Sequence, residues 1–259
     1  MKIYTKESLI AELQKIREKG WILSRRHGND GAVGNTLEAL LGIEENNLPI
    51  PNAAEWELKA QRKNTNSLTT LFHMEPSPRA LKFIPAILLP IYGWQHTQAN
   101  KKYPDTEMSF RQTLHATGAS DRGFSVKVDR IERKICVAFN QEQVSDHHAI
   151  WLKTVLAKGG GQFEHNPYWG FDDLFHKAGT KLHNCFFVRA QSRIENGKEY
   201  FLFDDILMLK AFSLENLIHA IELGDVYIDF DARTGHNYGT KFRIRDKKIP
   251  ELYGESVSI

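Results

Sequence analysis

Between Ala53 and Gln61 the chain alternates strictly, with Ala54, Trp56, Leu58 and Ala60 on one side and Glu55, Glu57, Lys59 and Gln61 on the other. That is the period-two signature of a half-buried strand. Elsewhere the period is helical. Leu9, Ile10, Leu13 and Ile16 predict an amphipathic helix over Lys6 to Lys19, stopped by Gly20. Gly34-Asn35-Thr36-Leu37-Glu38 reads as a loop entering a short helix, with Asn35 as its N-cap and Glu38 in its first turn. Ser67 to Met74 predicts a strand partnering the Glu-Leu-Lys strand, and Met108 to Thr117 adds to the same sheet. Phe124 to Arg130 and Lys134 to Asn140 form a hairpin. His147 to Ala157 and Phe171 to Leu182 read as helices, the first ending at a hinge of three glycines, Gly159 to Gly161. Asn184 to Ile194 and Glu199 to Leu209 flank Asn196-Gly197, the pair favoured in two-residue hairpins. A helix over Leu214 to Leu223 and a strand over Val226 to Phe230 follow. The plan is α/β, a mixed central sheet flanked by helices. Residues 1–150 are expected to form mainly a catalytic lobe and 151–259 mainly a recognition lobe, with interleaving left open.

A chain of 259 residues can bury a substantial core as one large domain or two lobes. With 34 basic and 32 acidic side chains it has a formal charge of +2, so no global cationic field marks it for nucleic acid. Charge is instead local. Arg25, Arg26 and His27 crowd one loop, and Lys241, Arg243, Arg245, Lys247 and Lys248 crowd another segment. The two cysteines, Cys136 and Cys185, lie in separate apolar runs, which excludes a disulfide framework and points to a reducing compartment. No apolar run approaches the ~20 residues of a membrane span, and no signal-like segment opens the chain. The expectation is a soluble, cytoplasmic protein. His165, His176, His183 and Cys185 match no short metal-ligand spacing and read as structural or surface residues.

The alternating strand is the first place where chemistry enters. An alternating charged strand is usually an amphipathic surface element, but here Glu57 and Lys59 project from one face about 7 Å apart at ~3.4 Å per residue. Pro49-Ile50-Pro51 holds the chain extended ahead of Asn52. If the preceding helix folds beside the strand, Glu38 joins the cluster. Carboxylate oxygens suit Mg2+, which takes one or two from a protein and keeps several waters. Such an ion lowers the pKa of a bound water and offsets charge on a phosphate, and a neighbouring lysine orients that water.

The order Gly-x-Thr-Leu-Glu-x-Leu-Leu-Gly, then Pro-x5-Glu-Leu-Lys, resembles the MvaI/BcnI family of monomeric type II restriction endonucleases, relatives of the MutH mismatch-repair nickase. The resemblance follows most of the chain in order. Its specific parts are these segments, Leu71-Phe72-His73-x-Glu75-Pro76, and Tyr227 to Arg245. It implies a restriction-endonuclease-like, MutH-like fold, bilobal with a DNA cleft, and an active site of the PD-(D/E)xK type. Carried over by position, that site is Glu38, Asn52, Glu57 and Lys59, with Asn52 and Glu57 on the metal. The family has aspartate where this chain has Asn52. An amide oxygen still coordinates Mg2+ but brings no charge, which implies a catalytically impaired protein. Either the aspartate was replaced to keep substrate intact, or the chain is a natural variant in which Glu55 supplies the missing charge.

In Arg233-Thr-Gly-His-Asn-Tyr-Gly, glycines let long donors approach a partner closely. Arginine can read guanine with two bonds, asparagine can pair with adenine, and histidine can donate to or accept from a base edge. The expected DNA contacts are Arg233, His236, Asn237, Tyr238, Lys241 and Arg243, with Arg25 and Arg26 on phosphates. The partner expected is double-stranded DNA with a short specific site, cut one strand at a time by a monomer using Mg2+. A MutH-like repair nickase and a non-cleaving DNA-binding module are the rivals. An RNA nuclease is weaker, since aromatic sheet signatures for stacking bases are absent.

Overall fold

Thr5 starts the first helix by accepting a hydrogen bond from the Ser8 amide (3.2 Å), as an N-cap hydroxyl does. In the computed structural model, which describes residues 4–26, 29, 31–43, 55–63 and 65–259, this helix is α1 (Lys6–Glu18), with Leu9, Leu13 and Ile16 buried. There follow β1 (Ile22–Leu23), α2 (Ala32–Leu41), β2 (Glu57–Arg62) and β3 (Thr69–His73). A π-helical turn at Ile84–Leu88 runs into α3 (Leu89–Tyr92), then β4 (Trp94–Gln95), β5 (Met108–Leu114), β6 (Arg122–Asp129) and β7 (Lys134–Val144). The chain continues with α4 (Ala149–Ala157), β8 (Tyr168–Gly170), α5 (Phe171–Leu182), β9 (Asn184–Glu195), β10 (Lys198–Phe212) and α6 (Leu214–Glu222). It ends with β11 (Val226–Arg233), β12 (His236–Asn237), β13 (Lys241–Ile244) and β14 (Tyr253–Ser258).

Two units divide these elements, and each is assembled from separate stretches. Unit 1 takes residues 1–69, 175–216 and 245–259, and unit 2 takes 70–174 and 217–244. The chain therefore passes between units at four places.

Unit 1 is built on a five-stranded sheet in the order β1-β10-β9-β2, with β14 also on β10. Asn196 (φ 50°) and Gly197 (φ 72°) supply the two left-handed residues that the β9–β10 turn needs. Strand β2 runs parallel to β9, pairing Glu57 with Cys185 and Lys59 with Phe187. One face of the sheet presents Trp56, Leu58, Phe186 and Val188 to Leu9 and Leu13 of α1 and Val33, Leu37 and Leu41 of α2, all in one buried cluster. Each such large apolar side chain contributes about 1.5–3 kcal/mol when fully buried.

Unit 2 carries a six-stranded sheet in the order β3-β13-β11-β5-β4, with β12 on β11, and a three-stranded sheet β6-β7-β8. Aromatic side chains fill its interior. Phe124 meets Tyr92, Phe110 and Phe139 at ring distances of 5.0–5.4 Å, and Trp169 packs on Phe242, its Nε1–H donating to the Met74 carbonyl (3.0 Å).

Four local expectations change. Helix α2 begins at Ala32 with Gly31 as N-cap, so Asn35 lies inside it, its amide bonded to the Gly31 carbonyl (3.0 Å). Strands β3 and β5 belong to the unit 2 sheet and do not partner β2. Strand β2 is not half-buried, since Glu57 and Gln61 are as enclosed as Leu58; a strand in a parallel pair is commonly covered on both faces. Of the three glycines, Gly160 is fixed by packing, since a Cβ there would lie 2.5 Å from Val155 Cγ1 and 2.7 Å from Ile91 Cγ2, and the stretch lies inside unit 2.

Candidate active site

The alternation along β2 sends Trp56 and Leu58 into the apolar cluster and Glu57 and Lys59 to the opposite face. There Glu57 is 1% exposed, and its Oε1 meets Lys59 Nζ at 2.7 Å and Lys181 Nζ at 3.7 Å. Both lysine side chains are 15% exposed. Its second oxygen, Oε2, is buried with no hydrogen-bond partner among the described residues. A buried carboxylate oxygen left unsatisfied is costly and calls for an explanation. A divalent cation is the group that fits it, since a hard ion takes carboxylate oxygen and the orphaned atom supplies one.

The surroundings are enclosed. Burial first, then the charge of Glu57, pushes the Cys185 thiol from 9.0 up to about 12. Burial, then Cys185 beside it, raises the Tyr253 hydroxyl well above the tyrosine range. Lys181 is pulled below the ordinary lysine range by burial, while Glu57 pulls it back and Lys59 and Lys177 add to the lowering. For Cys185 the folded value exceeds the unfolded one. Its contribution to stability is therefore full below pH 9.0 and is lost as pH rises toward about 12. Native protein at neutral pH is expected to protect Cys185 from iodoacetamide completely, with labelling only on unfolding in urea, as peptide mass spectrometry would show.

Lys181 was not anticipated. It comes from the last turn of α5 and reaches β2 through the fold alone. The signal in sequence was faint: Lys177 and Lys181 are spaced four apart on one helix face, an ordinary pattern.

Glu38 sits half-buried on α2, which packs against β2 and shares its apolar cluster through Leu37 and Leu41. Asn52 lies outside the described residues. Glu55 is exposed in the turn just ahead of β2. Arg25 and Arg26 are exposed beside α2, the Arg25 amide donating to Thr36 Oγ1 (3.1 Å).

In unit 2 the β11–β12 hairpin and the strand after it carry the other expected residues. His236, Asn237 and Tyr238 are exposed, and the His236 and Tyr238 rings lie 4.3 Å apart. Arg233 is engaged within the protein: Nη1 bonds Glu107 Oε1 (3.0 Å), Nε donates to the Tyr238 hydroxyl (3.3 Å), and the guanidinium covers the Tyr103 ring at 4.7 Å. Lys241 and Arg243 meet Asp231 (3.6 Å) and Asp229 (3.3 Å). Arg111 also meets Asp231 (2.9 Å), so acids on β11 temper the basic character of this face. The His73-x-Glu75 segment braces the turn, Glu75 Oε1 accepting from the Thr240 amide (2.9 Å).

An α/β fold whose buried parallel strand presents Glu-x-Lys beside an unsatisfied carboxylate oxygen is that of a restriction-endonuclease-type nuclease core. The chain matches the model of the MvaI/BcnI restriction endonuclease family over residues 10–253, and it belongs to that family. A search of curated proteins found no match. Among solved structures it is similar to the restriction endonuclease MvaI–cognate DNA substrate complex, with 24% identity, a TM-score of 0.78, and coverage of 98% of this chain and 99% of that one. It is also similar to MvaI in the absence of DNA, with 24% identity, a TM-score of 0.57 and full coverage of both chains.

Proposed function

We propose that this restriction endonuclease hydrolyses double-stranded DNA at a short specific sequence, using Mg2+ held by Glu57 and position 52, as a monomer that nicks one strand per binding event. The observation that carries the reading is the buried Glu57, with one oxygen on Lys59 and the other unsatisfied. When bound, the ion supplies Lewis acidity at the phosphate and a more acidic water. Lys59 orients that water and offsets charge growing on the phosphate, and Lys181 holds further positive charge over the same carboxylate. Glu38 takes its supporting role from the family pattern alone, since α2 packs on the apolar face of β2 that carries Trp56 and Leu58. The low exposure of Glu57, Lys59 and Lys181 strengthens each of these interactions relative to water. With asparagine at position 52 the site is impaired in metal binding.

In the same reading His236, Asn237 and Tyr238 meet base edges, while Arg233 holds the turn in position through Glu107 and Tyr238. His236→Ala is expected to reduce discrimination between target and random duplex by about 10- to 100-fold, the ~1–3 kcal/mol of one base contact. Lys247→Ala, at an exposed position, is expected to weaken binding to every sequence and lower the salt slope by about 1. Binding titrations on target and scrambled duplexes at two salt concentrations check both. Equal loss on both duplexes for His236→Ala would remove that residue from recognition.

Incubating supercoiled plasmid with the Asn52→Asp protein and Mg2+, and mapping the ends, tests the activity itself. A natural asparagine also supports a second reading, a DNA-binding module without hydrolysis. Tight, Mg2+-independent binding with no cleavage even after Asn52→Asp would favour it.

A further inference from the structure

Within unit 2, at the open end of the β6–β7 hairpin, a second group of ligating atoms converges. Asp121 directly precedes β6 and Ser145 directly follows β7, on either side of the Arg122–Val144 pair. The Ser145 amide donates to the Asp121 carbonyl (2.9 Å), and the His148 amide to the Ser145 carbonyl (2.8 Å), closing the short turn Asp146–His148. The backbone thus fixes Asp121 beside His147 and His148. His148 Nε2 stands 2.8 Å and His147 Nε2 3.7 Å from the same oxygen, Asp121 Oδ2. One ligand atom from each of the three residues lies within 4.8 Å of the others, the only such convergence of His, Cys, Asp or Glu among the described residues.

One imidazole would suffice to close the hairpin end through a hydrogen bond. Here two adjacent rings, with centroids 4.0 Å apart, address one oxygen, although the His147 side chain is 66% exposed and has solvent to turn to. Arg122 does not take that oxygen. Its guanidinium lies 4.0 Å over Trp94 and 5.4 Å from the Trp151 ring, and its nearest approach to Asp121 is 3.9 Å, to Oδ1. Around a tetrahedral ion with ~2.0–2.2 Å bonds to nitrogen and oxygen, donor atoms stand about 3.3–3.5 Å apart. That spacing falls between the two nitrogen–oxygen distances, 2.8 and 3.7 Å, and an ion would draw the two nitrogens, which lie within 4.8 Å of one another, to the same spacing. Imidazole nitrogens favour zinc-class ions, whereas Mg2+ favours oxygen.

We propose that Asp121, His147 and His148 bind a zinc-class divalent ion, with the fourth position left to water. The ion joins the end of the β6–β7 hairpin to the start of α4, where His148 is the N-cap and its ring meets Trp151. It is independent of the proposed cleavage site, since no residue is shared.

The test titrates the full-length protein with Co2+ in Mg2+-free buffer, following visible absorbance, and then with Zn2+, following displacement and the thermal midpoint. The expected result is one Co2+ per chain in the tighter binding step, which Zn2+ displaces, with the midpoint raised by Zn2+. His147→Ala is expected to weaken Co2+ binding at least tenfold without moving the metal-free midpoint, because the ring is exposed. Asp121→Asn should do the same to binding, and Glu57→Gln should leave it unchanged. Equal Co2+ binding by wild type, His147→Ala and Asp121→Asn, binding lost only with Glu57→Gln, or no binding by wild type would each overturn the site. None of these readouts depends on DNA cleavage.

Discussion

Replacing Asn52 with aspartate is expected to raise Mg2+-dependent cleavage of duplex DNA by about 10²- to 10³-fold. The reason lies in the charge of the site. Glu57 faces two ammoniums, Lys59 at 2.7 Å and Lys181 at 3.7 Å, leaving one excess positive charge where a dication must enter. A carboxylate beside the ion removes that excess. Two unit charges ~4 Å apart interact by about 4 kcal/mol at the effective dielectric typical near a protein surface, and part of that is offset by desolvating the new carboxylate. What remains, about 3–4 kcal/mol, corresponds to the stated acceleration. Plasmid relaxation at a range of Mg2+ concentrations checks it, and the Asn52→Asp protein should also reach half-maximal rate at lower Mg2+. Equal rates for the two proteins would mean that position 52 does not touch the ion, or that Glu55 already supplies the charge.

Truncating Lys59 is expected to be nearly as large in the other direction. In the Asn52→Asp background, Lys59→Ala should lower single-turnover cleavage by about 10²- to 10⁴-fold, the range for a group that positions a transferred proton. Binding to duplex DNA without Mg2+ should change only a few-fold. Removing one partner of a buried ion pair typically costs about 3–5 kcal/mol of stability; Lys181 still faces Glu57 and reduces that cost, so the folded fraction is measured alongside. Lys181→Met should cost less activity than Lys59→Ala, because its ammonium stands an ångström farther from the carboxylate. A Lys59→Ala protein that folds and cuts at an undiminished rate would remove Lys59 from the chemistry.

How much of this was legible in the chain varied with the range of the signal. Local periodicity placed α5 at Phe171–Leu182 and α1 within a residue of its end, because an apolar stripe and a stopping glycine lie within a few turns. The β9–β10 hairpin followed from two turn residues. Period-two alternation set Glu57 and Lys59 on one face, but it carries no information about what covers that face. Burial of Glu57 depends on α5 and Tyr253, which arrive more than a hundred residues later. The same gap assigned β3 and β5 to the wrong sheet: alternation identifies a strand and leaves its partner open, and both pair within unit 2. The Asn35 side chain suits a cap, yet the buried face of Ala32, Val33, Thr36 and Leu37 extends the helix past it toward the N-terminus. At the recognition turn, sequence supplied exposed His236 and Asn237 but gave no hint that Arg233 binds Glu107, a contact across the sheet.

The most direct measurement compares two proteins on one duplex substrate under single-turnover conditions with Mg2+: Asn52→Asp, and Asn52→Asp combined with Glu57→Gln. A folded first protein that cuts, beside a folded second protein that binds the same duplex and leaves it intact, is the result expected if Glu57 carries the ion. Cleavage at equal rates by both would place the chemistry away from β2.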